Sequence, residues 1–496
     1  ISTHESGGDA FVTCLDGVGR ITIDGVNYEL REGDSIVIEL SEESFIETMW
    51  HYAGYCEGYI EVSVSSDGEH YTLASESSEH EYADMFRWQP TIIASDAKYV
   101  KITLNSGYME FREIGFTDSN RSFLHNSSAK YIYADGSSSD ASAVIDEYDE
   151  LPHDGTSYMQ DMYFDEVYHA RTAYEYIHGI YPYEITHPPL GKAFIALGCM
   201  IFGFNPFGWR FMGTLAGVLM LPVLYIFAKR LFKNTKWAAY ATALFSVEFM
   251  HYVQTRIATI DSYSVLFIML MYLCMYEYSQ HNFLKEKLSK TLLPLGLCGL
   301  FFALGAATKW ICLYAGPGLC ILFFYTVYQR TKEYKYAKNA GLEDIVRRYK
   351  KNLTLTILFC VGVFIALPIC VYILSYYPYY NACNGNYGLK EVWENQVYMF
   401  TYHENLSGDP HPFQSSVYTW PFIIRPVYFF MGENMADNMR AVIWCMGNPL
   451  IFIGGLACVI GLIGVRSEPK TKLTGIPFIS IAALCQILPW ILITRE

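Results

Sequence analysis

The sequence predicts a polytopic α-helical membrane protein preceded by an external all-β domain. Three observations in the 496 residues point there: a polar first third before an apolar remainder, a series of apolar segments near bilayer length, and basic residues gathered in alternate connections. Hydrophobic residues make up 52% of the chain, unevenly spread, so two regions suited to different solvents are expected. A hydrocarbon core about 30 Å thick needs roughly 20 apolar residues in helical form. Segments of that kind run over 209–232, 237–253, 258–278, 291–308, 311–328, 353–374, 441–465 and 473–494.

The formal charge of -15 hides an asymmetry: the acids concentrate in the first third, and the bases collect between the apolar segments. Lys229, Arg230, Lys233 and Lys236, then Lys285, Lys287 and Lys290, the run from Arg330 to Lys351, and Arg466, Lys470 and Lys472 all fall in alternate connections. The intervening connections carry only Arg256, Lys309, Lys390, Arg425 and Arg440. The positive-inside rule makes the first set cytoplasmic and places everything before Trp209 outside the cytoplasm. An external domain has to be carried across, yet the chain opens without Met or a signal peptide. A preceding span is therefore expected ahead of Ile1, and the other end is expected to be cut soon after a span. Ten of the 13 cysteines sit in apolar segments and read as small buried hydrophobes. Cys14 and Cys56 either pair or stay as thiols.

Within a domain placed at 1–118, residues 10–117 alternate apolar and polar positions in short runs such as 36–40, 60–64 and 99–104, separated by turns with Gly and Asp, the pattern of a β-sandwich. The runs beginning at Gly33-Asp-Ser-Ile-Val, Ser65-Ser-Asp-Gly, Ala97-Lys-Tyr-Val and Glu113-Ile-Gly-Phe resemble a discoidin-like (F5/8 type C) jelly roll. The resemblance implies a glycan ligand held by loop aromatics, for which Trp50, His51, Tyr52, Tyr55 and Trp88 are candidates; the plainer alternative is that these rings fill the core. Residues 119–160 shift to Ser, Asp, Gly and His and read as a polar, mostly irregular linker.

Residues 161–208 form the external loop that carries the chemistry, ahead of a helical membrane region over 209–496. Asp165-Glu166 opens an amphipathic stretch in which Tyr168, Thr172 and Tyr176 share helical spacing, with Gly179 as its stop. His187-Pro-Pro-Leu-Gly-Lys192 then starts a second helix, too short to cross, with proline favoured in its first turn. On the same outer side the topology places Arg256 with Asp261, Lys309, His403 and the run from His411 through Ser415. Charges at the ends of spans are costly unless paired or solvated, so these are candidate functional groups. Arg256 and Asp261 alternatively pair only with each other.

Phe164-Asp-Glu-Val-Tyr-His, Tyr183-Glu-Ile-Thr-His-Pro-Pro-Leu-Gly-Lys, Arg256-Ile-Ala-Thr-Ile-Asp-Ser-Tyr, Thr308-Lys-Trp and His411-Pro-Phe-Gln-Ser-Ser resemble, in this order, the protein O-mannosyltransferases and their bacterial relatives. The resemblance runs from about Val144 onward and implies a GT-C glycosyltransferase of the bacterial plasma membrane. Such an enzyme moves a sugar, typically mannose, from a polyprenyl-phosphate carrier to Ser or Thr of a secreted protein with inversion, on the extracytoplasmic side. It departs from the pattern in placing a β-sandwich ahead of the Asp-Glu motif.

A hydroxyl acceptor needs a base within hydrogen-bond reach, and Asp165 is assigned that role, with Glu166 orienting the acceptor or a cation. Charge accumulating on the departing phosphate calls for fixed cations or donors: Arg256, Lys192 and His411 in that order, then Lys309. His187 contacts the sugar, holds the loop, or caps a helix. Asp261, His403 and Ser415 complete the substrate-binding candidates. No cofactor is expected, and no metal, because adjacent carboxylates diverge and local spacing fixes no third ligand. The partners implied are the lipid-linked sugar, the protein acceptor, membrane lipid and the glycan ligand of the sandwich, with no nucleic acid. Transfer to a lipid or cell-wall glycan is the rival within catalysis; a glycan receptor or transporter is the rival outside it.

Overall fold

The computed structural model describes residues 22–23, 26–27, 29–80, 82–147, 151–152, 155–405, 415–433, 435, 438–464 and 475–492. The chain divides into two compact units, Ile1–Val167 with Phe430–Val442, and Tyr168–Phe429 with Ile443–Glu496.

The first unit is antiparallel β. β1 (Thr22–Ile23) pairs with β2 (Val26–Asn27). The strands β3 (Glu29–Arg31), β4 (Ser35–Ser65), β5 (Thr72–His80), β6 (Arg87–Thr117), β7 (Phe123–Leu124), β8 (Asn126–Ile132) and β9 (Ser138–Asp140) make one sheet in the order β3-β6-β4-β8-β9, with β5 added to β4 and β7 to β6. β4 bends back so that β6 residues 99–103 pair with Ser35–Glu39 on one side and with Glu61–Ser65 on the other. Period-2 alternation puts Ile36, Ile38, Val62, Val64, Val100 and Ile102 into one core. Trp50 and Trp88 pack with Leu151 in a second cluster, and His51 is fully buried, so these three rings are core and not loop ligands. Tyr52 bridges to the carbonyls of Phe86 and Gln160. Cys56 is buried, while Cys14 lies outside the described residues.

The expected linker over 119–160 is corrected by β8. Ala129 and Tyr131 alternate with Ser128 and Lys130, the buried pair facing inward, and Tyr131 donates a 2.9 Å hydrogen bond to the buried Asp34. The serine-rich composition masked a strand that pairs with β4 from Ser35 to Leu40.

The second unit is helical. α1 (Glu166–His178) and α2 (Leu190–Phe202) are followed by α3 (Pro206–Phe232), α4 (Thr235–Ser246), α5 (Phe249–Gln254), α6 (Asp261–Gln280) and α7 (Leu288–Thr308). After a 3-10 turn at Trp310–Tyr314 come α8 (Ala315–Asn339), α9 (Glu343–Val361), a π-helical turn at Gly362–Ala366, α10 (Leu367–Leu374), α11 (Tyr377–Ala382) and α12 (Leu389–Asn405). Short strands β10 (Val427–Met431) and β11 (Val442–Cys445) precede α13 (Pro449–Gly464) and α14 (Gly475–Leu492). Among the described residues, four helical stretches are long and apolar enough to cross a membrane: Pro206–Phe232, Leu288–Thr308, Trp310–Asn339 and Glu343–Ala382. The chain is an integral membrane protein.

Of the eight expected spans, 258–278 and 473–494 form α6 and α14, which are not among those four stretches, and two others are interrupted. The segment 237–253 is broken between α4 and α5, because the Glu248 carboxylate accepts from the N–H of His251 at 2.7 Å and of Asn448 at 2.8 Å. A carboxylate that caps a helix start cannot sit inside a continuous helix. The segment 441–465 starts extended at β11 and turns helical only at Pro449. Helices α1 and α2 form where the sequence predicts them. Gly179 ends α1 with φ +66°, a left-handed conformation that a side chain resists. Pro189 already has helical dihedrals one residue before α2.

Candidate active site around a buried carboxylate

Sequence reasoning gave Glu184 no role, yet its buried carboxylate is the centre of the second unit's polar network. Lys192 in the first turn of α2 is fully buried and uses its three N–H groups on the Glu184 carboxylate, the Glu184 carbonyl at 2.6 Å and the His187 carbonyl at 3.0 Å. The backbone N–H of Thr186 donates to the same carboxylate at 2.9 Å, and the Thr186 hydroxyl also donates to it. His187 Nδ1 lies 3.0 Å from Glu184 Oε1. Donation from Nδ1 leaves Nε2 as the acceptor of the neutral ring. The N–H of Glu184 itself donates to Thr172 of α1 at 3.2 Å.

A second buried pair fixes the preceding turn. Arg171 donates to Glu175 at 2.8 Å and lies 4.1 Å above the Tyr183 ring, while the Tyr183 N–H donates to Glu175 at 2.7 Å. The other side of the loop is held by α12: His403 Nε2 donates to the Thr186 carbonyl at 3.0 Å, and Asn395 donates to the Ile185 carbonyl at 3.1 Å. Asn395 in turn accepts from the Tyr376 hydroxyl at 2.6 Å, and Tyr372 accepts from the Trp310 indole at 3.1 Å.

One close contact brings three motifs together. A Cβ added to Gly191 would lie 2.6 Å from Ile260 and 3.0 Å from Thr308, the residues that precede Asp261 and Lys309. Only glycine lets α2 approach the start of α6 and the end of α7 so closely. At that junction Lys309 donates to Asp261 at 2.7 Å. Asp261 therefore pairs with Lys309, not with Arg256. Arg256 is exposed, and its guanidinium stacks 3.8 Å over Tyr252.

Burial and charge set the ionisation of the loop. Burial pushes His169 down to about 3, against the pull of the Glu184 charge, with His187, Lys192 and Lys309 adding to the shift. His169 Nδ1 stands 4.0 Å from Glu184, beyond hydrogen-bond reach. Burial lowers His187 in the same way, opposed by its bond to Glu184. For Glu184 burial acts upward, but Lys192 and the His187 contact outweigh it and hold the carboxyl well below the usual range.

Asp165 and Glu166 belong to the first unit. Glu166 is fully buried and its carboxylate accepts from the N–H of Tyr163 at 3.3 Å, which closes the turn that presents Asp165. Phe164 in that turn has φ +52°, a strained conformation for a bulky residue and worth roughly 1–3 kcal/mol. The Ser415 carbonyl accepts from the Trp420 indole at 3.1 Å. His411 lies outside the described residues. The buried partners Glu184, His169, Arg171 and Glu175 escaped the sequence reading; the available signal was the eight-residue offset of Glu184 from Lys192 across a proline turn.

Two family models match the sequence: "Dolichyl-phosphate-mannose-protein mannosyltransferase" over residues 186–341 and "C-terminal four TMM region of protein-O-mannosyltransferase" over residues 388–468. Among curated relatives, the polyprenol-phosphate-mannose–protein mannosyltransferase of Mycolicibacterium smegmatis is 27% identical over 316 residues, covering 55% of this chain and 59% of the relative. The same-named proteins of Mycobacterium tuberculosis and Corynebacterium glutamicum are 25% and 22% identical, covering 55% and 62% of this chain and 58% and 65% of theirs. The chain thus spans less than two thirds of the length of these relatives. Two solved structures are also similar. The S. cerevisiae protein O-mannosyltransferase Pmt1–Pmt2 complex bound to the sugar donor has TM-score 0.38 at 18% identity, covering 45% of this chain and 30% of that one. ArnT from Cupriavidus metallidurans bound to undecaprenyl phosphate has TM-score 0.32 at 16% identity, covering 65% and 54%.

Three outcomes are expected of the loop. Gly191→Ala overpacks the α2 contact and lowers stability by about 1–3 kcal/mol in detergent thermal unfolding, with partial recovery on adding Ile260→Ala. Lys192→Met strands the buried carboxylate at a cost of about 3–5 kcal/mol, and Glu184→Gln in the same protein restores much of it. Because His169 is held neutral when folded but titrates near 6.5 when unfolded, stability is full above pH 6.5 and falls as pH drops toward 3, with Glu184 adding to the loss below 4.5. Unfolding temperature measured across that range should follow this limb, and His169→Gln should flatten its upper part.

Proposed function

We propose that this chain is a member of the protein O-mannosyltransferase family and works as a GT-C glycosyltransferase, moving mannose from a polyprenyl-phosphate carrier to Ser or Thr hydroxyls of secreted proteins at the extracytoplasmic face. The observation that carries the reading is the region from Thr186 to Gly341. It matches the mannosyltransferase model, and within it histidine, lysine and aspartate groups gather beside one fixed loop.

In this reading Asp165 takes the proton from the acceptor hydroxyl as the oxygen attacks the anomeric carbon. The anomeric C–O bond to phosphate breaks as the new one forms, which inverts the centre, and the phosphate leaves on its polyprenol. Arg256, exposed and braced by Tyr252, is the cation best suited to meet that phosphate. Lys192 is reassigned. With its three donors used inside the loop it holds Glu184, while Lys309 with Asp261 forms the neighbouring wall and His187 offers Nε2 to a sugar hydroxyl. Glu166 keeps the Asp165 turn closed. The first unit is read as a discoidin-like module in which the half-buried Tyr55–Tyr108 stack, not Trp50 or Trp88, serves a glycan.

Membranes carrying the full-length protein should transfer labelled mannose from polyprenyl-phosphate mannose to secreted protein. Asp165→Asn should lower turnover by about 10²–10⁴-fold, and Arg256→Gln by about 10²–10³-fold, with folding intact. Undiminished turnover in Asp165→Asn removes the base assignment. Label appearing only in lipid or cell-wall glycan removes the protein acceptor.

A further inference from the structure

At the far end of α8 and the start of α9 lies a cluster of cations that the proposed chemistry does not use. Lys332, Lys335, Lys338, Arg347, Arg348, Lys350 and Lys351 are all exposed, and none makes an ion pair with a described carboxylate. Glu333 is already engaged by Arg330 at 3.0 Å and by Asn282 at 2.6 Å, so within the hairpin Glu343 and Asp344 are the carboxylates that remain against seven positive charges.

The cluster sits on a built platform. Arg330 is buried and donates to the carbonyls of Ser279 at 3.2 Å and His281 at 2.7 Å, which ties α8 to the end of α6. Tyr334 stacks on Tyr349 at 4.3 Å, and the Thr331 and Tyr349 hydroxyls are 2.8 Å apart, which clamps α8 to α9. The stretch Trp310–Asn339 has 30 residues. At 1.5 Å per residue it is about 45 Å long and outruns a hydrocarbon core of about 30 Å, so its last turns stand at headgroup level. Tyr328, Lys332 and Tyr336 follow one another at four-residue spacing along a single face, both tyrosines are exposed, and Lys332 lies 4.5 Å over the Tyr328 ring. Leu342 is exposed at the tip between the helices.

We propose that this α8–α9 hairpin is a docking surface for anionic phospholipid headgroups of the leaflet it faces. Fixed cations supply the attraction to phosphate, and the interleaved tyrosines and Leu342 supply the apolar side that lies at a headgroup boundary. Aromatic and apolar groups interleaved with the charges, on helix turns that outrun the hydrocarbon core, favour a headgroup boundary over a purely solvated face.

The test uses the full chain in vesicles of phosphatidylcholine alone and of phosphatidylcholine with phosphatidylglycerol as about a third of the lipid. Lipid retained after mild detergent release is counted by native mass spectrometry. The native protein should keep phosphatidylglycerol in preference to phosphatidylcholine, with the preference falling as salt is raised. Lys332→Gln with Lys335→Gln and Lys338→Gln should cut that retention by roughly tenfold, and Arg347→Gln with Arg348→Gln, Lys350→Gln and Lys351→Gln by a similar factor. Arginine in place of the three lysines should preserve it. Equal retention of the two lipids by the native protein, or retention insensitive to salt, overturns the proposal without reliance on any variant. Because a neutral headgroup is the reference and transfer activity is not the readout, failure here is distinct from failure of the proposed function.

Discussion

The buried ion pair between Glu184 and Lys192 is the constraint on which the second unit's polar loop between α1 and α2 depends. A carboxylate and an ammonium removed from water are tolerated only when every remaining valence is met, and here the surrounding groups meet them. Lys192 turns to two carbonyls of the same loop, and Glu184 takes the Thr186 N–H and the His187 ring. The double proline between the partners restricts the backbone further. The loop is thus shaped from inside by charge, and its carbonyls at Ile185 and Thr186 are presented to α12 as acceptors.

Apolar helices place this polar centre through small residues. Gly191 allows the contact with Ile260 and Thr308, and the residues next to those two form the Asp261–Lys309 pair. In this way the ends of α6 and α7 bring charge to the loop without carrying it through their apolar middles. Glu248 follows the same logic at the break between α4 and α5, where a carboxylate serves two backbone N–H groups instead of facing lipid.

Much of this was legible from residue types. Gly179 as a helix stop, proline ahead of α2, the alternating strands and the apolar segments are local signals, each set by backbone conformation or by periodicity. What was hidden depends on partners distant in sequence. Glu184 carries no pattern of its own, and its meaning comes only from Lys192 folding back across the prolines. Asp261 had one cation near it in sequence, Arg256, yet packing at Gly191 gave it Lys309, 48 residues away. β8 lay under serines because composition speaks of solvent exposure on one face, whereas Ala129 and Tyr131 supply the other.

The π-helical turn at Gly362–Ala366 sits far from the loop in sequence, yet it sets the angular phase of everything after it. A residue added to one helical turn advances the following face by about 100°. Tyr372 and Tyr376 come after that advance; Tyr372 accepts from Trp310, and through Gln396 and Asn395 the two phenols connect to the Ile185 carbonyl. The widened turn therefore acts as a gear tooth: shortening the helix by a single residue there would swing both phenols away and leave Asn395 and Gln396 of α12 without their braces, although no residue of the loop had changed.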